Sequence, residues 1–145
     1  MSEINRWLNR YSVFFATLTQ QELDRCDQLF SQQVHFKDPF NDVTGIASVK
    51  QVFRHMFDTC ETVRFEIHDC SGHGSVGYIN WTFHFMIKRR WKQRKIQGVS
   101  RVAFNAKGEV VEHIDYWDAA ENIYQSLPLI GWLLKQLRNR FLRAA

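Results

Sequence analysis

The sequence GVSRVAFNAKGEVVEHIDYWD, residues 98–118, decides the fold, because it reads as two strands joined by a tight turn. Apolar and polar residues alternate before and after NAKG (residues 105–108), and a glycine that closes such a tetrapeptide is typical of a β-hairpin. Residues 63–69 and 77–88 alternate in the same way. These strands, connected by short turns, predict an antiparallel sheet in the second half of the chain.

The first half of the chain has helical spacing instead. Apolar residues recur every three or four positions over residues 4–18 and again over residues 49–57, which predicts two amphipathic helices. Thr19 and Glu22 match a capping box and predict a further helix after residue 19, and residues 34–38 read as a short strand. Helices followed by a meander predict an α+β domain, with helices packed on one face of a curved sheet.

Composition limits the class of protein. A chain of 145 residues predicts one domain, and its twelve phenylalanines, five tryptophans and four tyrosines suggest a core with room for an aromatic-lined cavity. Three cysteines without metal-ligand spacing predict neither a disulfide framework nor a metal site, which favours a reducing, cytoplasmic location. No apolar run is long enough for a signal peptide or a membrane span, so neither is expected.

Two segments, LFSQQVHFKDPFNDVTGIASVKQVF (residues 29–53) and residues 98–118, resemble the nuclear transport factor 2-like superfamily, and within it the SnoaL-like and ketosteroid isomerase-like proteins. The resemblance covers residues 1–118 and implies a cone-like α+β fold, in which a curved antiparallel sheet wraps around the N-terminal helices. Residues 119–145 would then form a C-terminal helical extension. Because the superfamily includes isomerases, dehydratases, cyclases, epoxide hydrolases and non-catalytic binding modules, the resemblance is specific for the fold and not for a reaction.

The resemblance also implies roles for individual residues. Asp38, in KDPF, falls on the aspartate that shuttles protons in the ketosteroid isomerases, whereas Ser100 stands where those enzymes carry an oxyanion-hole aspartate. Their oxyanion tyrosine falls on Phe14, or on Tyr11 if the following loop is longer. Those isomerases use a carboxylic acid kept neutral by an apolar site, and a serine cannot replace it. Steroid isomerisation itself is therefore not expected.

Strand alternation adds ionisable residues to this group. His113, Asp115 and Trp117 share one face of the last strand, and the resemblance places that face inside the cone. Ionisable groups on an apolar concave surface need hydrogen-bond partners or a function. We therefore predict acid–base catalysis without cofactor or metal, with Asp38 as general base and with His113 and Asp115 as acid, base or orienting partners. The residues expected to contact a hydrophobic carbonyl or hydroxyl compound are Tyr11, Phe14, Phe57, Trp81, Phe83, Ser100 and Trp117.

Each of these assignments has a structural alternative. Asp38 precedes Pro39 and is typical of a residue that holds a turn at the end of a strand. His113 and Asp115 could form a hydrogen-bonded pair that only stabilises the fold. If both alternatives hold, the protein is a non-catalytic module that binds a ligand or a partner.

Two basic segments remain. KRRWKQRK, residues 88–95, lies between two predicted strands, where a charged hairpin tip is common, and no nucleic-acid-binding motif accompanies it. A last helical stretch is predicted from about residue 119 to residue 143, broken at Pro128 and near Gly131, and its part over residues 128–143 is amphipathic and basic. Its apolar stripe would pack on the domain or on a second subunit, or the helix would lie on an anionic membrane surface. We expect a homodimer formed through the outer face of the sheet.

Overall fold

The computed structural model describes residues 1–88, 92–122 and 128–144, with the side chains of residues 128–131, 143 and 144 left undescribed. Its helices are α1 (Glu3–Thr17), α2 (Cys26–Leu29), α3 (Ile46–Thr59), α4 (Ala119–Asn122) and α5 (Pro128–Ala144), and a 3₁₀ turn spans Gln20–Arg25. Its strands are β1 (Phe30–Lys37), β2 (Asp42–Thr44), β3 (Cys60–His73), β4 (Val76–Ile87), β5 (Gln93–Phe104) and β6 (Val110–Tyr116).

The strands form one six-stranded sheet in the order β2-β1-β6-β5-β4-β3, whose edges, β2 and β3, do not meet. Register shifts between β3 and β4 mark irregularities that bend a sheet. The N-terminal helices cover its concave side, and α1 packs on β3 and β4. This arrangement confirms the predicted α+β class. The sheet is not purely antiparallel, because β1 runs parallel to β6.

The helix α1 begins and packs as its sequence predicts. The Ser2 hydroxyl accepts a hydrogen bond from the Asn5 amide at 3.4 Å and caps the helix. One apolar stripe is buried against the sheet, and it comprises Ile4, Leu8, Tyr11 and Phe14. This stripe packs with residues of α3 and of β1, β4, β5 and β6 in the hydrophobic core.

The capping-box prediction at residue 19 is wrong. The Thr19 side chain makes no capping hydrogen bond, and a 3₁₀ turn interrupted at Glu22 (φ −112°, ψ 24°) replaces the start of the helix. The Glu22 carboxylate binds Arg25 at 3.0 Å instead of returning to the Thr19 amide. The partly buried Arg25, three residues away, is therefore the partner of the carboxylate that the capping box would use.

The C-terminal segment also departs from its prediction. Pro128 is the first residue of α5, where a missing amide proton costs no hydrogen bond. The helix then continues through Gly131 to Ala144, so the interruption expected near Gly131 is absent.

Within the parts of the chain that the structure describes, no helix is long and apolar enough to cross a membrane. Part of the basic segment 88–95, including Trp91, lies outside the described residues.

The predicted NAKG turn joins β5 to β6. The side-chain oxygen of Asn105 accepts the amides of Lys107 and Glu109, each at 3.0 Å. Gly108 has φ +79°, and its carbonyl accepts a hydrogen bond of 2.7 Å from Arg10 in α1. The turn thus fixes the last two strands against the first helix.

Gly108→Ala should lower the free energy of unfolding by about 1–3 kcal/mol. The positive φ disfavours any side chain, and a Cβ there would lie 2.4 Å from Nε1 of Trp7. Urea denaturation measures the loss, and Lys107→Ala, an exposed change in the same turn, serves as the control. An alanine variant as stable as the wild type would contradict this account of the turn.

Candidate functional site

A cavity of about 190 Å³ opens between α3 and the concave face of the sheet. Most of its wall is aliphatic or aromatic, with contributions from α1, α3 and all strands except β2. The polar residues that line it are Asp38, Asn41, His55, Ser100, His113 and Asp115. Ionisable groups are therefore present in an otherwise apolar enclosure.

Four hydrogen bonds connect the residues at one wall of the cavity. Trp81 donates from Nε1 to Oγ of Ser100 at 2.8 Å, and Ser100 donates to Oδ1 of Asp115 at 2.5 Å. On the other side, the Tyr11 hydroxyl lies 2.7 Å from Nδ1 of His113. Nε2 of His113 lies 2.6 Å from the same Oδ1 of Asp115. Asp115 is thus the acceptor at which the two branches meet.

Strand register brings these residues together. Ser100 in β5 lies opposite Asp115 in β6, and the two-residue period places His113 on the same side of β6. Trp81 in β4 lies opposite Gly98, where a Cβ would stand 2.5 Å from the indole ring. The missing side chain at Gly98 leaves room for the indole whose N–H reaches Ser100.

The protonation of Tyr11 sets the direction of the hydrogen bonds. Burial, followed by the negative charge of Asp115, raises the pKa of Tyr11 well above its ordinary value of 10.0. Tyr11 therefore keeps its proton at neutral pH and is able to donate a hydrogen bond to Nδ1 of His113. This donor matches the tautomer of His113 that is protonated on Nε2, and in that tautomer Nε2–H donates to Asp115.

Asp115 keeps one oxygen available. Oδ1 receives two hydrogen bonds, whereas none of the described residues donates to Oδ2. The His113 side chain is 3% exposed and that of Asp115 17%. An acceptor on a cavity wall, with its orientation fixed through the other oxygen, is a suitable contact for a proton of a bound molecule.

Asp38 holds a turn and also lines the cavity. Its Oδ1 accepts the amides of Phe40 at 2.8 Å and Asn41 at 2.7 Å. The side-chain amide of Asn41 lies 3.1 Å from both carboxylate oxygens. Asp38, Asp115 and Trp117 also line an adjoining surface groove, so they stand where the cavity meets the surface.

Most of the residues selected from the sequence lie at the cavity. These are Asp38, Trp81, Phe83, Ser100, His113, Asp115 and Trp117. Tyr11, Phe14 and Phe57 were expected to contact substrate but do not line it. Tyr11 and Phe14 are buried in the core, and Phe57 is half-buried against it. Tyr11 reaches the site only through His113.

Sequence analysis missed residues from the helices. Phe15, one position after Phe14, is the α1 residue that faces the cavity, and Val52, Phe53 and Met56 of α3 also line it. The apolar stripe of α3 was visible in the sequence, but its periodicity does not distinguish a cavity wall from core packing. Among the described residues, no three His, Cys, Asp or Glu side chains are grouped as ligands for a metal ion.

Comparisons with known proteins agree with the fold. The SnoaL-like domain model matches residues 12–113. A putative SnoaL-like polyketide cyclase from Jannaschia sp. CCS1 has a TM-score of 0.72 and 10% identity, covering 83% of this chain and 92% of that one. An LEH-like epoxide hydrolase from M. tuberculosis has a TM-score of 0.70 and 15% identity, covering 94% and 99%.

A third solved structure, an NTF2-like protein of unknown function from Exiguobacterium sp. 255-15, has a TM-score of 0.66 and 21% identity, covering 77% of this chain and 98% of that one. At these identities the likeness shows a shared fold. No protein of curated function matches the sequence.

Tyr11→Phe should lower the free energy of unfolding by about 1–3 kcal/mol, because the buried Nδ1 of His113 would lose its donor. Urea denaturation measures the change. Tyr78→Phe is the matched control, since Tyr78 is 49% exposed and its loss should cost less than about 0.5 kcal/mol. Equal losses in the two variants would contradict a structural role for the Tyr11 hydroxyl.

The same variant tests the raised pKa of Tyr11. Above about pH 10 an unfolded chain ionises its tyrosines, whereas the folded protein retains the proton of Tyr11. The unfolded state then binds fewer protons, so the free energy of unfolding falls as the pH rises. Denaturation at several values between about pH 9 and 11 should show a shallower fall for Tyr11→Phe than for the wild type. Parallel profiles would be inconsistent with the shift.

Proposed function

The chain belongs to the SnoaL-like domain family, and we propose that it binds a small ring-bearing molecule in the cavity and transfers a proton on it by acid–base catalysis. One observation carries the proposal. Two donors fix Oδ1 of Asp115 at the cavity wall, while Oδ2 receives no hydrogen bond from the described residues. A carboxylate held in this way is suited to be the general base.

Cavity size and lining indicate the substrate class. An apolar cavity of about 150 Å³ is enough to hold benzene, and this one measures about 190 Å³. Phe83 and Trp81 contribute aromatic surface to it. A single ring or a small bicyclic compound with a carbonyl group therefore fits better than a steroid-sized molecule.

In the proposed reaction, Oδ2 of Asp115 removes a proton from carbon, and the conjugate base of the substrate forms. The Nε2–H of His113 and the hydroxyl of Ser100 hold the carboxylate before the transfer. Return of the proton from Asp115 to another carbon completes an isomerisation. In a dehydration, a neighbouring hydroxyl takes that proton as its C–O bond breaks, so that water leaves and a C=C bond forms. Tyr11 is a positioning residue, because it sets the tautomer of His113.

The proposed general base is Asp115, whereas sequence analysis had assigned that role to Asp38. Both oxygens of Asp38 already accept hydrogen bonds within its own turn. Asp38 instead supplies a second carboxylate at the junction of cavity and groove. The names of the polyketide cyclase and the epoxide hydrolase indicate that this fold serves small-molecule enzymes in other chains, which supports an enzymatic role.

The expected homodimer and the cytoplasmic location stay predictions. Tyr78, Val99 and Tyr116 are exposed on neighbouring strands of the outer sheet face. An apolar patch of this kind supports the proposal that a second copy of the chain covers it.

Exchange of carbon-bound protons in D₂O tests the base directly. We use 2-indanone, a small bicyclic ketone, and follow loss of its α-proton signal by NMR. The wild type should accelerate the exchange, and the exchange rate should be about 10²–10⁴-fold lower with Asp115→Asn. Asp69→Asn is the matched control, because Asp69 is an exposed aspartate on β3.

Two results would count against the catalytic proposal. One is that Asp115→Asn catalyses the exchange of the 2-indanone protons as fast as the wild type does. Alternatively, the wild type could bind 2-indanone in saturation-transfer NMR without accelerating exchange. The second result would favour the alternative function, a non-catalytic ligand-binding module.

A further inference from the structure

The net charge of the protein is concentrated in its last helix. The chain has 19 basic and 15 acidic residues and a net charge of +4. No acidic residue follows Glu121, and the basic residues beyond it are Lys135, Arg138, Arg140 and Arg143. The remaining residues are therefore balanced in charge, and α5 accounts for the entire excess.

The same helix exposes apolar side chains. Phe141 is 75% exposed and Leu133 53%. Trp132, Leu137 and Leu142 are exposed as well. α5 has no extended contact with another described element.

Three of the exposed apolar residues share one face of α5, whereas Trp132 and Leu142 lie off that face. Leu133, Leu137 and Phe141 follow one another at intervals of four residues and share one face of the helix. Arg138 and Arg140 fall at the two sides of that face. An apolar face bordered by cations is the arrangement of helices that lie in the plane of a membrane surface.

We propose that α5 binds this protein to an anionic lipid bilayer, with its apolar face among the acyl chains and its cations at the lipid headgroups. Charge favours this occupant over a second copy of the helix. Two such helices would bring like charges together without an acidic residue in either to compensate. Anionic headgroups supply the opposite charge.

Co-sedimentation of the full-length protein with vesicles tests the proposal. Vesicles of phosphatidylcholine with roughly one-third phosphatidylglycerol should bind it, vesicles of pure phosphatidylcholine should bind it much less, and added salt should weaken the binding. Arg138→Gln with Arg140→Gln should reduce affinity roughly 25-fold, about fivefold for each cation removed. Phe141→Ser should weaken binding through loss of buried apolar surface.

Lys92→Gln with Lys95→Gln is the matched control, because it removes two exposed cations from outside α5. It should bind the anionic vesicles nearly as well as the wild type, and circular dichroism should show that every variant is folded. An equal loss in the control, or no binding of the wild type, would overturn the proposal. The proposal would also be overturned if the wild type did not bind vesicles and formed a dimer in solution that Leu137→Ser converted to a monomer. A second copy of the chain would then cover the apolar face. Vesicle binding does not involve Asp115, so this result is independent of the catalytic proposal.

Discussion

The arrangement of the cavity depends on the hydrogen bonding of one carboxylate oxygen. Oδ1 of Asp115 accepts from Ser100 at 2.5 Å and from His113 at 2.6 Å. Each of these partners is held in turn, Ser100 by Trp81 and His113 by Tyr11. A carboxylate at an apolar wall is costly to remove from water unless it is hydrogen-bonded. The network therefore supplies the hydrogen bonds that a carboxylate needs at such a wall.

Backbone pairing supplies the geometry that this network requires. The antiparallel register of β5 and β6 sets Ser100 opposite Asp115. The parallel pairing of β1 with β6 sets Phe36 beside His113, where the two rings stack at 4.7 Å. Asp38 and Asp115 directly follow Lys37 and Ile114, the last residues that pair between β1 and β6, and both line the cavity. The parallel pairing of β1 with β6 thus helps to add the second carboxylate to the site.

Sequence reasoning reached the features that follow from local periodicity. A two-residue period was enough to place His113, Asp115 and Trp117 on one face, and the NAKG turn identified the last hairpin. It failed where competing contacts decide, as at Thr19, where Arg25 takes the carboxylate that a capping box needs. It also misplaced Tyr11 and Phe14, because a helical stripe shows which residues are apolar but not which one faces a cavity instead of the core. The two roles of Asp38 were treated as alternatives, whereas the structure places both in one carboxylate.

The directions of the hydrogen bonds limit the chemistry that the site can support. The protons of Tyr11, Ser100 and Trp81 all point along the network toward Asp115, so none of these groups is free to stabilise negative charge on a substrate oxygen. An oxyanion hole often contributes a large share of rate enhancement where charge develops on oxygen. In the proposed reaction these donors hold the base, and Asn41 and His55 are the other polar residues at the cavity that remain for a substrate oxygen. The proposed proton transfer therefore favours substrates that stabilise their own conjugate base through an adjoining ring or a second carbonyl, and a cavity of about 190 Å³ favours a small one.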